Sequence, residues 1–233
     1  MILYTNGDSH TAAAECVNSH AFAEDDKQYW MMGRAPHPEN LAQSWSKLLS
    51  NRLSAGMVCD AESASSNDRI IRTTKDWIEK FKHELYRTFM VIQWSTWERE
   101  EWLIDDVLYQ INASGTDDIP DSHKDQYKDY VSNINWQQKT RDAHEEIWNF
   151  HQELESAGVK HIFFNGNNDF SKIEIQKDWG SSYVQPYSTE HTFNAVVGAS
   201  CDTVSPTSWH YGKDGHRVWA QFLTKYIVDK KLV

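Results

Sequence analysis

Short runs of apolar residues recur along the chain and are separated by stretches with helical periodicity. Four of these runs are rich in β-branched or aromatic residues and are bounded by glycine or polar clusters, which is typical of buried strands. They lie at residues 2–5, 57–60, 89–94 and 159–164. Because each run is too short for a buried helix, the pattern predicts four strands.

Between the predicted strands, apolar residues recur at helical spacing. One such face follows Pro38, and another ends before Gly158, a residue that favours a helix C-terminus. The faces contain Leu41, Trp45, Leu48 and Leu49; Ile71, Thr74, Ile78, Phe81 and Leu85; Ala143, Ile147, Phe150 and Leu154; and a final helix over about 214–228. Alternating strands and helices predict right-handed crossovers and a mainly parallel sheet covered on both sides.

We therefore predict an α/β fold with three layers, of the flavodoxin-like kind, as a single domain over residues 1–233. Two polar segments, near 19–37 and 112–133, interrupt the alternation, and the second is markedly acidic. We interpret both as surface insertions that form lids or rims of a cleft. The chain has no internal repeat and no linker that would mark a second domain.

The overall charge argues against a nucleic-acid partner. The formal net charge is −11, and no Lys/Arg cluster reverses it locally, so the protein repels phosphate backbones. The N-terminal segment has neither a basic region nor a long apolar run, so we expect no signal peptide, no transmembrane segment and no membrane partner. These features favour a cytoplasmic or virus-encoded protein. The oligomeric state is not predicted.

Two residue types allow alternative interpretations. The three cysteines, Cys16, Cys59 and Cys201, have no C-x-x-C spacing, which indicates free thiols rather than a disulfide framework or a thiolate zinc site. The 11 tryptophans either fill the core and its rim or stack on sugar rings in a cleft.

Polar residues crowd the carboxyl ends of the predicted strands, where ligands bind in open α/β sheets. The four ends contain Asn6–His10, Ala61–Arg69, Gln93–Arg99 and Asn165–Asp169. Ser9 follows the flexible Gly7 and precedes a run of alanines, so it is placed at a helix N-terminus, where developing negative charge is stabilised. The alternative is that Ser9 or Asp8 only caps this helix.

Two blocks resemble those of SGNH (GDSL-like) hydrolases. Asn6-Gly7-Asp8-Ser9-His10 is similar to the first block, in which G-D-S follows the first strand, and Ser208–Arg217 resembles the last block near the C-terminus. The resemblance implies that Ser9 is the nucleophile and His210 the general base. His216 lies in the predicted final helix, where packing or a backbone hydrogen bond is the expected role.

The chain departs from the family pattern beside this histidine. Thr207 occupies the position, three residues before His210, where the family usually has an aspartate. Asp202 is the nearest upstream candidate for the acid. Alternatively, a backbone carbonyl orients the imidazole and the unit is a Ser–His dyad, which lowers the expected rate.

A second departure concerns the oxyanion hole. Trp97 stands where the family's G-x-N-D block has asparagine, whereas the stretch Ser65-Ser66-Asn67-Asp68 resembles that block with its glycine replaced. We therefore predict an oxyanion hole formed by the N–H groups of Ser9 and Ser65 and by the Asn67 amide. An equally weighted alternative is that Ser66 or Asn67 caps the helix that begins near Ile70.

These features predict a serine esterase or deacetylase that acts on an ester of a small molecule or carbohydrate. No metal site is predicted, because the chain has no H-E-x-x-H motif, and His144 and His151 lie two helical turns apart. No cofactor is predicted, since G-x-G-x-x-G and P-loop motifs are absent. Two alternatives are a catalytically impaired binding protein with the SGNH fold and a flavodoxin-like domain that binds an anionic ligand.

Overall fold

Four parallel strands form the central sheet in the computed structural model, which describes residues 1–17, 35–116 and 119–233. The strands are β1 (Ile2–Asn6), β2 (Gly56–Cys59), β3 (Thr88–Trp94) and β7 (Lys160–Asn165), in the order β2-β1-β3-β7. Ile2 pairs with both Gly56 and Thr88, and Phe89 pairs with Lys160. This register brings the carboxyl ends of β1, β3 and β7 to one edge.

Helices cover both faces of this sheet. In the described parts of the chain they are α1 (Ser9–Ala12), α2 (Pro38–Leu41), α3 (Trp45–Arg52), α4 (Asn67–Lys80), α5 (Lys124–Ser132), α6 (Trp136–Ser156), α7 (Phe193–Gly198) and α8 (Lys213–Asp229), with 3₁₀ helices at Lys82–Arg87 and Asp121–His123. Alternate residues of β3 enter two separate cores: Met90 and Ile92 pack with α4 and α6, whereas Phe89 and Val91 pack with α3, α7 and α8. The predicted α/β fold with a mainly parallel sheet is confirmed.

Two predicted helices differ in detail. The apolar pattern from Leu41 to Leu49 spans α2 and α3 rather than one helix, because the Ser44 hydroxyl accepts a hydrogen bond from the Lys47 N–H and starts a new helix there. The pattern that reaches Leu85 leaves the α-helical conformation after Lys80 and continues as the 3₁₀ helix.

The acidic segment predicted as an insertion near 112–133 carries regular structure. It includes the end of a small antiparallel sheet, formed by β4 (Glu100–Ile104), β5 (Val107–Asn112) and β6 (Gly115–Thr116), followed by α5. Asp105 and Asp106 turn the β4–β5 hairpin with φ of 48° and 62°, as a two-residue hairpin turn requires. Of the insertion predicted near 19–37, residues 19–34 lie outside the described residues.

No helix among the described residues combines the length and apolar character needed to cross a membrane. The three cysteines carry free thiols.

Candidate active site

Asp8 anchors the turn that follows β1. Its buried carboxylate accepts hydrogen bonds from the His10 N–H and Gln93 Nε2 on one oxygen, and from Ser95 Oγ and Arg99 Nη1 on the other. Burial alone raises the pKa of Asp8, but the His10 ring, the Arg99 guanidinium and the hydrogen bonds together bring it below its usual value. Asp8 therefore stays ionised. It has an extended backbone and is the N-cap of α1, because its side chain accepts the His10 N–H.

Gln93 fits between two glycines at the sheet edge. A Cβ atom at Gly7 would lie 2.8 Å from Gln93 Cβ and 2.5 Å from Thr11 Oγ1, and one at Gly166 would lie 2.5 Å from Gln93 Nε2. Gly7 also has φ of 157°, which other residues rarely adopt. The side chain of Gln93 can therefore bridge Asp8 and Thr11 only because both glycines lack a side chain.

Ser9 is the first residue of α1, directly after this N-cap, and is 7% exposed. Its N–H has no acceptor in a preceding helical turn, and no hydrogen bond between described residues uses its N–H or its hydroxyl. Asp8, and not Ser9, is therefore the residue that caps this helix. Ser9 keeps a donor and a hydroxyl available to a ligand at the sheet edge.

His210 is held by a carboxylate that the sequence did not single out. Nδ1 of His210 lies 2.5 Å from Oε2 of Glu15, and the Ser208 hydroxyl donates to the same oxygen while it accepts the His210 N–H. Because an ionised carboxylate can only accept, the proton of the neutral imidazole is on Nδ1 and Nε2 carries the lone pair. This tautomer is the one that a general base requires.

The backbone that carries Glu15 is constrained. Ala13 and Glu15 have φ of 58° and 59°, an uncommon conformation for residues with side chains. The carbonyl of Ser9 accepts the N–H groups of Ala13 and Ala14, which closes the turn after α1. One short turn thus fixes both Ser9 and Glu15.

The structure does not bring Asp202 to the histidine. Asp202 is exposed, and none of the hydrogen bonds between described residues joins it to His210, whose Nδ1 faces Glu15. Nor do those hydrogen bonds include one between the Ser9 hydroxyl and His210. The carboxylate that contacts Nδ1 of His210 is thus that of Glu15 and not that of the predicted Asp202.

His10 links the Ser9 turn to the end of β7. Its Nε2 donates to Asn167 Oδ1 at 3.2 Å, its ring packs 4.7 Å from the ring of Phe193, and the His210 ring lies 5.8 Å away. Burial lowers the pKa of His10 to about 4, despite the opposing effect of Asp8. A neutral His10 adds no positive charge beside His210 at neutral pH.

The three predicted oxyanion donors have different surroundings. The Ser65 N–H donates to the Glu62 carbonyl at 3.1 Å and is therefore already satisfied, which removes it as a donor. Asn67 begins α4, with Ser66 as the N-cap, and its Oδ1 accepts the Ser95 N–H at 2.8 Å. This bond fixes the amide and leaves its NH₂ group without a partner among the described residues. The Ser9 N–H has no acceptor among the described residues.

Trp97 and His216 both have structural contacts. The Trp97 ring is buried and stacks on Phe170 with centroids 4.9 Å apart. Trp97 is therefore a core residue. His216 is buried in the first turn of α8, and its Nδ1 accepts the Trp45 N–H at 3.2 Å. Burial lowers the pKa of His216 to about 3. Among the described hydrogen bonds, none connects His216 to Ser9.

Sequence comparison identifies the family but gives no activity. Residues 35–162 match the model of DUF6071, a family of unknown function. The chain belongs to this family. No curated protein sequence matches the chain.

Comparison with solved structures concerns the fold of this DUF6071 protein. The crystal structure of TesA has a TM-score of 0.54 at 13% identity, with 100% of both chains covered. The psychrotrophic esterase EstA from Pseudoalteromonas sp., in a structure inhibited by monoethylphosphonate, has a TM-score of 0.48 at 10% identity, with 98% of this chain and 97% of that chain covered. The likeness to TesA confirms the predicted SGNH hydrolase-type fold and, at this identity, shows the fold alone.

Proposed function

We propose that this protein is a serine hydrolase that cleaves an ester of a small molecule or carbohydrate. The observation that carries the proposal is the contact of the Glu15 carboxylate with Nδ1 of His210. An imidazole oriented by a carboxylate, on the sheet edge that carries a serine at a helix N-terminus, is the arrangement that serine hydrolases share on unrelated folds.

In the proposed reaction, the Ser9 hydroxyl attacks the ester carbonyl while Nε2 of His210 takes its proton. Glu15 stabilises the resulting imidazolium, and the Ser9 N–H donates to the oxygen that becomes negative. His210 then protonates the leaving alcohol as the C–O bond breaks, which leaves an acyl group on Ser9. Water attacks this acyl-enzyme with His210 again as the base, releases the acid and restores Ser9.

The Asn67 amide is the second proposed oxyanion donor. Its oxygen is held by the Ser95 N–H, so that a donor rather than an acceptor remains available. With the Ser65 N–H committed to Glu62, the hole has one fewer donor than the sequence predicts. Because one such donor contributes about 10²- to 10³-fold to the rate, we expect a slow esterase.

Labelling with a fluorophosphonate probe tests the proposal. Wild-type protein should gain one adduct at Ser9, detected by peptide mass spectrometry, and should hydrolyse p-nitrophenyl acetate. Ser9→Ala should lose both properties with a nearly unchanged unfolding midpoint, because Asp8 and not Ser9 caps α1. The matched control is Ser63→Ala, a buried serine after β2, which should label as wild type does. Turnover retained by Ser9→Ala would exclude the mechanism.

A second candidate is a binding protein that has the fold but little chemistry. It is favoured by the satisfied Ser65 N–H, by Trp97 in the core and by the lack of a hydrogen bond between Ser9 and His210 in the described structure. This candidate predicts no adduct at Ser9 in the same experiment.

A further inference from the structure

A separate cluster of metal-binding side chains lies where α6 ends and β7 begins, at the amino end of β7 and away from Ser9. His151 and Glu155 belong to α6 and His161 to β7, and one ligand atom from each lies within 4.8 Å of the others. We propose that these three residues bind a divalent transition-metal ion, with Zn²⁺ as the best fit. The spacing His-x3-Glu-x5-His differs from that of H-E-x-x-H, and the sequence therefore predicted no metal site.

His161 already has the orientation of a metal ligand. Its Nδ1–H donates to the Val159 carbonyl at 2.8 Å, because a carbonyl can only accept, and Nε2 therefore carries the lone pair. Metal-binding histidines usually have this second hydrogen bond to a carbonyl or carboxylate, which fixes the ring and the tautomer. Nε2 of His161 lies 2.9 Å from Nδ1 of His151.

The metal ion would take the place of the proton between these two rings. With Nδ1 of His161 protonated, the proton in the His151–His161 hydrogen bond belongs to Nδ1 of His151. If it moves to Nε2 of His151, both facing nitrogens present lone pairs and neither ring changes charge. Histidine binds a metal ion through an unprotonated ring nitrogen, and this rearrangement provides one on each ring.

Glu155 provides the third ligand from the exposed side. It lies one helical turn after His151, its side chain is 58% exposed, and its ligand oxygen lies within 4.8 Å of the histidine ligand atoms. In a tetrahedral zinc site with bonds of about 2.0–2.2 Å, ligand atoms lie roughly 3.3–3.6 Å apart. Rotation of this exposed side chain closes the difference and leaves the fourth position to water.

The surroundings favour a transition metal over Ca²⁺ or Mg²⁺. Two of the three ligands are imidazoles, which suit Zn²⁺, Ni²⁺ and Cu²⁺, whereas Ca²⁺ and Mg²⁺ require oxygen ligands. The rings of Trp148, Trp179 and Phe163 lie 4.9–5.4 Å from the two imidazoles. This apolar wall limits access by water and makes tryptophan fluorescence a reporter of a bound paramagnetic ion.

Titration of the metal-free full-length protein with Zn²⁺ in a calorimeter tests the proposal. We expect one ion per chain and a rise in the unfolding midpoint of about 5–10 °C at free Zn²⁺ a hundredfold above Kd. Co²⁺ should give the visible absorption of a tetrahedral site and quench tryptophan fluorescence. Glu155→Gln should weaken Zn²⁺ binding at least tenfold, and His161→Gln should abolish it.

The control is Glu145→Gln. Glu145 is also a carboxylate of α6 beside a buried histidine, with Oε1 3.7 Å from Nδ1 of His144, but among the described residues this pair does not belong to a cluster that could bind a metal ion. The variant should bind Zn²⁺ as wild type does. Because Glu155 is exposed, its variant reports on the site even if His161→Gln fails to fold. Absence of saturable binding up to 1 mM Zn²⁺ (on the order of the weakest useful protein affinities) would show that the histidines form only a structural hydrogen-bonded pair. Binding equally strong in Glu155→Gln would exclude the proposed three-residue site.

Discussion

Oε2 of Glu15 lies 2.5 Å from Nδ1 of His210, although the two residues are 195 positions apart in the chain. Both side chains are largely shielded, with 22% and 13% of their surface exposed. The contact joins the turn after α1 to the loop before α8 and gives the imidazole the tautomer of a general base. A substitution at Glu15 tests this contact directly.

Replacing the Glu15 carboxylate by an amide of the same size should lower activity far more than it lowers stability. Glu15→Gln removes the charge that stabilises the imidazolium and allows the other tautomer, so we expect kcat for p-nitrophenyl acetate to fall about 10²- to 10⁴-fold with little change in KM. Asp202→Asn is the matched control and should retain wild-type kinetics. The reverse result would return the acid to Asp202.

The Asn67 amide should matter for the rate rather than for the fold. Asn67→Ala removes one oxyanion donor, and we expect kcat to fall about 10²- to 10³-fold at nearly constant KM. Ser66→Ala separates this role from helix capping, since it removes the N-cap of α4 and should cost about 1 kcal/mol of unfolding free energy while kcat is kept. Wild-type turnover in Asn67→Ala would assign the second donor elsewhere.

Trp209 offers a test of the substrate class. It precedes His210 and is 78% exposed, unlike the tryptophans that fill the two cores. If the substrate is a carbohydrate ester, Trp209→Ala should raise KM for an acetylated sugar about 5- to 150-fold, the loss of about 1–3 kcal/mol of stacking, and leave p-nitrophenyl acetate hydrolysis unchanged. Equal KM values for both proteins on the sugar ester would count against carbohydrate stacking at this position.

The buried histidines predict a loss of stability in mild acid. Burial lowers the pKa of His10, His161 and His216 to about 4, 4 and 3. The unfolded chain, in which histidine has a pKa near 6.5, therefore binds more protons than the folded protein between about pH 6.5 and 4. The free energy of unfolding should decrease as the pH falls through this range, by about 1.4 kcal/mol per pH unit for each such histidine.

Urea unfolding at several pH values measures this effect. His10→Gln keeps a donor for Asn167 and should reduce the slope by about one proton. His83→Gln is the control, because the His83 side chain is 74% exposed and its replacement should leave the slope unchanged. A stability profile that is flat from pH 6.5 to 4 would contradict the prediction.

The sequence predicts those parts of the structure that depend on local patterns. Strand β3 alternates side chains between two cores, and the polar residues after β1 and β7 do meet, through His10 and Asn167. Glu15 could not be found in this way, because its position depends on two residues with positive φ and on a contact with the far end of the chain.

The β4–β5 hairpin was missed for a different reason. Its aspartate pair is a recognisable turn signal, but the flanking strands expose Leu103, Val107 and Leu108 and so lack the usual alternation of buried and exposed positions. Similarly, the partner of the Ser65 N–H is set by the local turn to Glu62, which residue types alone do not reveal.

The closed turn between Ser9 and Glu15 also has a consequence for biosynthesis. Glu15 in this turn is translated 195 residues before His210, the histidine that it contacts. The nascent chain thus carries Ser9 without its proposed base while the intervening residues are synthesised. Under the proposed mechanism, hydrolysis begins only when the segment with His210 has emerged and α8 has docked, so esterase activity would report the completion of folding.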